Sequence, residues 1–190
     1  MKKWNRILGT LFIVWILFVG CDASGGSSGT NTDEGSTGGT GSVLVPGTGN
    51  GSFTIGNTTG TLSYGWLERD TVTNSLDIYL SSILPQSTGS GDFLNISIPL
   101  SQELLNPGEY STQQNSILDI SCGIGYNRSV TPATFTELWI LDESAEPNTI
   151  LTVTKNGDTY TLTYTLCVIS PSEEDSGTIT GSYTGTLPLF

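Results

Sequence analysis

Between Ile150 and Leu166, apolar side chains alternate with threonines on both sides of an Asn156-Gly157 pair. Strict alternation marks a half-buried strand, and Asn-Gly between two such runs is a strong hairpin signal. A type I′ turn on those two residues sets Lys155 opposite Asp158 and Thr154 opposite Thr159. Val153 then meets Tyr160, and Leu151 meets Leu162. The apolar residues share one face and the threonines the other; a slip of one residue would undo this.

Much of the remaining chain has the same period. Leu62, Tyr64 and Trp66 alternate with polar neighbours, as do Leu76, Ile78 and Leu80; Leu94, Ile96 and Ile98; and Leu118, Ile120, Cys122 and Ile124. Strands are expected over residues 61–68, 76–84, 93–100, 117–126, 135–141 and 178–187, besides the two arms of the hairpin. In the last of these, Gly181 and Gly185 lie on the apolar face, where they admit a bend or a neighbouring ring. Residues 101–106 fit one helical turn ahead of Pro107-Gly108. No longer stretch has a helical stripe. The expected fold is all-β: an antiparallel β-sandwich or small β-barrel of about eight strands over residues 52–190.

The N-terminus has a different character. Lys2, Lys3 and Arg6 precede an apolar run of about 13 residues, from Ile7 to Val19. A basic start and a short apolar run make a secretory signal, and the run is short of the roughly 20 residues that span a bilayer. It ends in Phe18-Val19-Gly20-Cys21, which resembles a lipobox. That resemblance implies a signal peptide over 1–20, cleavage after Gly20 and diacylglycerol on Cys21. The protein would then be held to a membrane by its lipid anchor. Residues 21–51 follow as a Gly/Ser/Thr-rich linker with little to bury, expected to stay disordered. About 30 such residues span on the order of 30 Å.

Charge narrows the partners. The chain carries a formal charge of −12, and all its acids follow Cys21. Only Arg69, Arg128 and Lys155 are cations beyond the cleavage point. A surface of that sign repels phosphate backbones, so no nucleic-acid partner is expected. It also offers no basic patch to anionic headgroups.

Residues Thr152 to Leu162, with Gly181-Ser182-Tyr183-Thr184-Gly185-Thr186-Leu187, resemble the C-terminal half of small Bacteroidetes-type lipoproteins. Pro107-Gly108-Glu109-Tyr110 resembles a proline-glycine-x-tyrosine turn found in the same proteins. The resemblance covers about the last 85 residues. It implies a β-sandwich or barrel and carries over no catalytic residue. In such proteins an acidic residue near the lipidated cysteine, here Asp22, goes with outer-membrane or surface export. In enteric bacteria Asp at that place retains a lipoprotein at the inner membrane, so both locations in the cell envelope stay open. Asp70-Thr71-Val72 resembles the O-glycosylation acceptor of the same bacteria and makes Thr71 a candidate.

Candidate chemistry is sparse. The chain has no histidine, which removes the commonest general base and metal ligand. No catalytic residue, cofactor or metal is expected. Cys122 and Cys167 could form a disulfide in an exported protein, stabilising by about 4 kcal/mol in the chain-entropy view. Continued alternation sets Cys122 on an apolar face and Cys167 on a threonine face. A bridge therefore needs a bulge near Leu166-Cys167-Val168-Ile169; the alternative is two separate buried thiols. Trp66 and Trp139 are candidates for a sugar-binding platform, with core packing as the competing role; Tyr79 and Tyr126 are lesser ones. Glu137, Asp142, Glu143 and Glu146 form one run of acids, and Glu173, Glu174 and Asp175 another. Paired carboxylates can hydrolyse glycosides or hold calcium, but acids in loops are first of all solvated surface.

The leading expectation is a lipid-anchored envelope protein acting as a non-enzymatic binding or structural module, with a glycan or envelope protein as partner. A small-barrel carrier of an apolar ligand comes second and a carboxylate-based hydrolase third.

Overall fold

The computed structural model describes residues 45–100, 104–127, 129–130, 133–142, 144, 149–172 and 174–190. The expected signal peptide, Cys21 and most of the expected linker lie outside them, as do 101–103 of the expected helical turn.

The chain forms ten strands: β1 (Gly47–Ile55), β2 (Thr58–Asp70), β3 (Ser75–Ser81), β4 (Ser90–Pro99), β5 (Gly108–Ser111), β6 (Asp119–Asn127), β7 (Glu137–Leu141), β8 (Ile150–Asn156), β9 (Thr159–Ile169) and β10 (Ser176–Thr186). Every pairing between them is antiparallel. β10 pairs with β9 on one edge and β1 on the other, which closes β1, β2, β3, β4, β6, β7, β9 and β10 into a barrel. Of the two expected architectures the barrel is the one formed. β8 and β5 are additional: β8 takes Thr159–Thr165 of β9, while β7 takes Val168 and Ile169 of the same edge. β5 then pairs with the far side of β8. Here Tyr110 of the proline-glycine turn donates to the Asn106 carbonyl at 2.9 Å and pins the start of β5.

Eight strands enclose a space that side chains can fill. Phe53, Leu62, Leu67, Leu76, Ile78, Leu80, Leu94, Ile96, Ile120, Leu162, Tyr164 and Tyr183 point inward and are buried. The rings fit because glycines stand beside them. Phe53 pairs with Gly60 on one side and Gly181 on the other; Tyr183 pairs with Gly51; Tyr164 pairs with Gly181. A Cβ at Gly60 would collide with the Phe53 ring, and one at Gly181 with the Ser52 carbonyl. Glycine therefore supplies the room that an aromatic residue on the next strand occupies.

That packing corrects the domain boundary. Residues 47–51, expected as linker, are the first half of β1, and the compact unit runs from Val43 to Phe190. Their glycine content reflects close approach to β10 rather than solvation.

The hairpin forms with its faces as expected but two residues out of the expected register. Asn156 pairs with Thr159, Lys155 with Tyr160, Val153 with Leu162 and Leu151 with Tyr164. The central turn residues are Gly157 and Asp158, with Gly157 alone at positive φ (58°). Glycine at the first central position is the type II′ arrangement. A shift of two preserves facing, so composition could not distinguish the registers.

Asp92 ties the wall together where β3 ends. Its Oδ2 accepts the Thr61 N–H at 3.1 Å, which has run past the last residue of β3. Its Oδ1 accepts the Gly125 N–H at 3.2 Å, at a bulge in β6 where Gly125 takes a φ of +60°.

Candidate functional site

The hairpin of β2 and β3 turns through residues 71–74. Asp70 accepts the N–H groups of Val72 and Thr73 at 2.8 and 3.2 Å, and Asn74 adopts positive φ. The Thr73 hydroxyl, with those two amides, holds the Asp70 carboxyl below its ordinary value. Thr71 sits exposed in this turn beside Val72, which is 92% exposed.

The turn fixes the facing of everything behind it. Arg69, Leu67 and Gly65 pair with Leu76, Ile78 and Leu80, so those positions point inward. Asp70, Glu68, Trp66 and Tyr64 pair with Ser75, Asp77, Tyr79 and Ser81 and point outward. The alternation thus changes phase within β2. Leu62 packs inside the barrel, whereas Trp66 lies on the outward side of the wall and is buried there, 5% exposed. The cause is a bulge: Gly49 and Asn50 of β1 face a single residue, Ser63, between the Gly51–Leu62 and Thr48–Tyr64 pairs. The simple period that set Tyr64 and Trp66 with Leu62 fails there.

Trp66 and Tyr79 stack on the outer wall, with ring centroids 5.1 Å apart and planes 10° from parallel. Next to them Glu68 faces Asp77 across the strands. Ser75 donates to Asp77 Oδ1 at 3.0 Å, and Ser97 of β4 also hydrogen-bonds the same carboxylate. The Tyr79 hydroxyl donates to Glu68. Burial, reinforced by the Asp77 charge, raises the Glu68 carboxyl above its ordinary value; burial also raises Asp77. Beyond Tyr79 in the same row lie Asn95 of β4 and then Ser121 of β6. Asn95 is 9% exposed and Ser121 4%, and Asn95 Oδ1 and Ser121 Oγ have no hydrogen-bond partner in the protein.

The other candidates are dispersed. Trp139 packs against the core, and its Nε1 donates to Glu137 Oε2 at 3.2 Å, so the two tryptophans do not form one platform. Tyr126 stacks on Phe135 with centroids 4.9 Å apart, and Phe93 meets both rings; Phe135 covers Gly123, where a Cβ would collide with the Phe93 ring. Asp142 accepts from Ser144, while Glu174 and Asp175 are exposed in the β9–β10 loop. Glu143, Glu146 and Glu173 lie outside the described residues. Among the described residues no three His, Cys, Asp or Glu side chains gather as a metal would require.

Cys122 and Cys167 are separate buried thiols, which corrects the expected bridge. The register of β9 with β10 runs unbroken from Thr159 to Ile169, so no bulge re-aims Cys167. β7 lies between the two strands, with Trp139 opposite Cys122 and Leu141 opposite Val168. Two strand spacings alone set the Cα atoms about 10 Å apart, beyond the reach of a disulfide.

The pairing of Glu68 with Asp77 was not singled out from sequence. Reading Asp70-Thr71-Val72-Thr73-Asn74 as a hairpin turn with Asp70 opposite Ser75 places them opposite each other.

Compared with known proteins, the chain matches no known family, no curated protein and no solved structure.

Proposed function

We propose that this chain is a lipid-anchored cell-envelope protein whose barrel is a non-enzymatic binding module, and that it binds on the outer wall at Trp66, Tyr79, Glu68 and Asp77. The observation that carries this reading is the contrast between the two faces of the wall. Inward positions are filled mainly by large apolar side chains, whereas two neighbouring outward rows gather an aromatic pair, two carboxylates and two unpartnered polar atoms, with Glu68 and Tyr79 half-buried at the rim and Trp66, Asp77, Asn95 and Ser121 buried. A packed interior favours an external binding surface over internal carriage of an apolar ligand. An open depression of about 440 Å³ lies at one barrel mouth, lined by Val45, Leu104, Tyr160 and Leu187 among others, and belongs to the surface rather than the interior.

Glu68 and Asp77 also give the hydrolase reading its best pair of carboxylates. They stand side by side on adjacent strands of the wall, and a glycosidase needs its two acids on either side of the scissile bond. That favours binding over catalysis.

Location rests on Val19-Gly20-Cys21 and the apolar run ahead of it. Two acyl chains hold a protein on a bilayer almost permanently. Fractionation of cells making the full chain or Cys21→Ser tests this. The full chain is expected in the membrane fraction and the variant is expected to leave it. Equal membrane association of both would overturn the anchoring.

A further inference from the structure

Val45 and Pro46 lead into β1 at the end of the barrel where β2 turns into β3, β4 runs out, β8 turns into β9 and β10 stops. The chain that leads back to Cys21 joins the barrel at this end. Five of the seven large apolar side chains exposed among the described residues stand here: Val45, Val72, Leu104, Leu118 and Phe190. Leu84 and Val130, in the β3–β4 and β6–β7 loops, stand at the opposite end. Apolar residues scattered singly are ordinary on a surface, whereas a patch of them marks a contact site. Val45 and Leu104 line the depression at the mouth together with Pro188. From there the chain continues along β2: the Leu67 N–H donates to the Pro188 carbonyl at 2.8 Å, and the Phe190 N–H to the Leu67 carbonyl at 3.0 Å. Val72 follows at the tip of the same β2, almost wholly exposed. The backbone of that tip is already paired, since Asp70 accepts the Val72 and Thr73 N–H groups. Such a tip can leave water without stranding those donors. Lys155 and Asp158 bring opposite charges to the same mouth, so its attraction is apolar rather than ionic.

We propose that this end of the barrel rests on the lipid bilayer, with Val45, Val72, Leu104 and Phe190 entering its interface. The proposal rests on the lipid-anchor part of the functional reading and adds which face of the barrel the membrane covers. It is independent of what the outer wall binds. The occupant follows from the tether. Residues 22–44 alone separate Cys21 from the rim, and a Gly/Ser/Thr-rich segment of that length spans on the order of 30 Å. A short flexible tether gives an effective concentration in the millimolar range, roughly. A contact too weak to hold a free protein is then enough for an anchored one, and no second copy is brought to the rim in this way. Docked so, the barrel turns its β3–β4, β6–β7 and β9–β10 loops away from the membrane.

The test couples the chain from Cys21 onward, through the Cys21 thiol, to a maleimide phospholipid in a phosphatidylcholine nanodisc; Cys122 and Cys167 are buried. A gadolinium-chelate lipid in the same disc broadens the amide signals that come near it. Docking predicts strong broadening at Val45, Val72, Leu104 and Phe190 and little at Leu84, Val130 and Asp175. Val72→Asp alters an exposed turn residue and should lower the ratio of docked to undocked protein about tenfold, with Leu104→Asp as a second variant. High salt should leave that ratio unchanged. Weak, even broadening of both ends would show a barrel that tumbles on its tether and would overturn the proposal. Strong broadening at the opposite end, or docking unchanged in both variants, would also overturn it. Rim shifts that appear on concentrating the chain without discs would assign the rim to a second copy and overturn the bilayer as its occupant. Because the lipid is attached chemically, docking on the disc with an unmodified Cys21 in native protein would support the surface and overturn the anchor alone.

Discussion

Trp66 lies face to face with Tyr79 on the outside of the barrel, one strand apart, with 5.1 Å between ring centroids. Stacked aromatic pairs add about 0.5–1.5 kcal/mol beyond the area they bury. A double-mutant cycle with Trp66→Ala and Tyr79→Ala should return a coupling of about that size in urea denaturation. Trp66 is 5% exposed, so its removal alone should cost about 3–5 kcal/mol, most of it independent of Tyr79.

Legibility from sequence followed the strength of the local signal. β3, β4 and β9 read clearly because their inward residues alternate without interruption. β1 did not, because its inward positions include Gly49 and Gly51 in a stretch that already looks like linker. Their role depends on Tyr183, more than 130 residues later, and no local pattern carries that information. The same β1 bulge shifts the phase of β2 and moves Trp66 from the expected inner face to the outer one. At the hairpin, Asn156-Gly157 signalled a turn correctly, but Gly157 takes the first central position rather than the second. The candidate site was half visible: Trp66 and Tyr79 stood out as aromatics, whereas Glu68 and Asp77 become a pair only through register.

The glycine–ring packing makes a sharp stability prediction. A Cβ on Gly181 would collide with Ser52 and Phe53 of β1 and with the Tyr164 ring. Gly181→Ala forces the strands apart and should cost about 1–3 kcal/mol, as overpacking does. Gly56 has open space around it but a φ of +56°. Gly56→Ala should therefore cost about 1 kcal/mol, from backbone conformation alone. Urea denaturation of the two variants checks the order.

Stability should fall as pH rises through the range in which Glu68 and Asp77 ionise. Their ordinary values are 4.5 and 3.8, and both are raised in the folded protein, first by burial. In the window between unfolded and folded values the folded state holds more protons, so raising the pH favours unfolding. Below the ordinary values both states are protonated and the penalty is absent; above the raised values it is complete. Asp77→Asn should therefore be more stable than the parent at neutral pH, with the advantage vanishing in acid. Thermal unfolding across that range measures it, and a variant less stable at neutral pH would contradict the assignment.

Both cysteines should remain as thiols even under oxidising conditions. Cys122 is buried inside the barrel, and burial drives its thiol well above the ordinary range, which makes it unreactive. Mass spectrometry after alkylation of unfolded, unreduced protein should find both Cys122 and Cys167 labelled. Alkylation of the folded protein should leave Cys122 unlabelled.

The proposed role requires the barrel to be held to a membrane by lipid on one thiol. Mass spectrometry of the N-terminal peptide of protein purified from native membranes tests that attachment most directly. The peptide is predicted to begin at Cys21 and to carry diacylglycerol on its sulfur. A peptide beginning at Met1, or an unmodified Cys21, would contradict it.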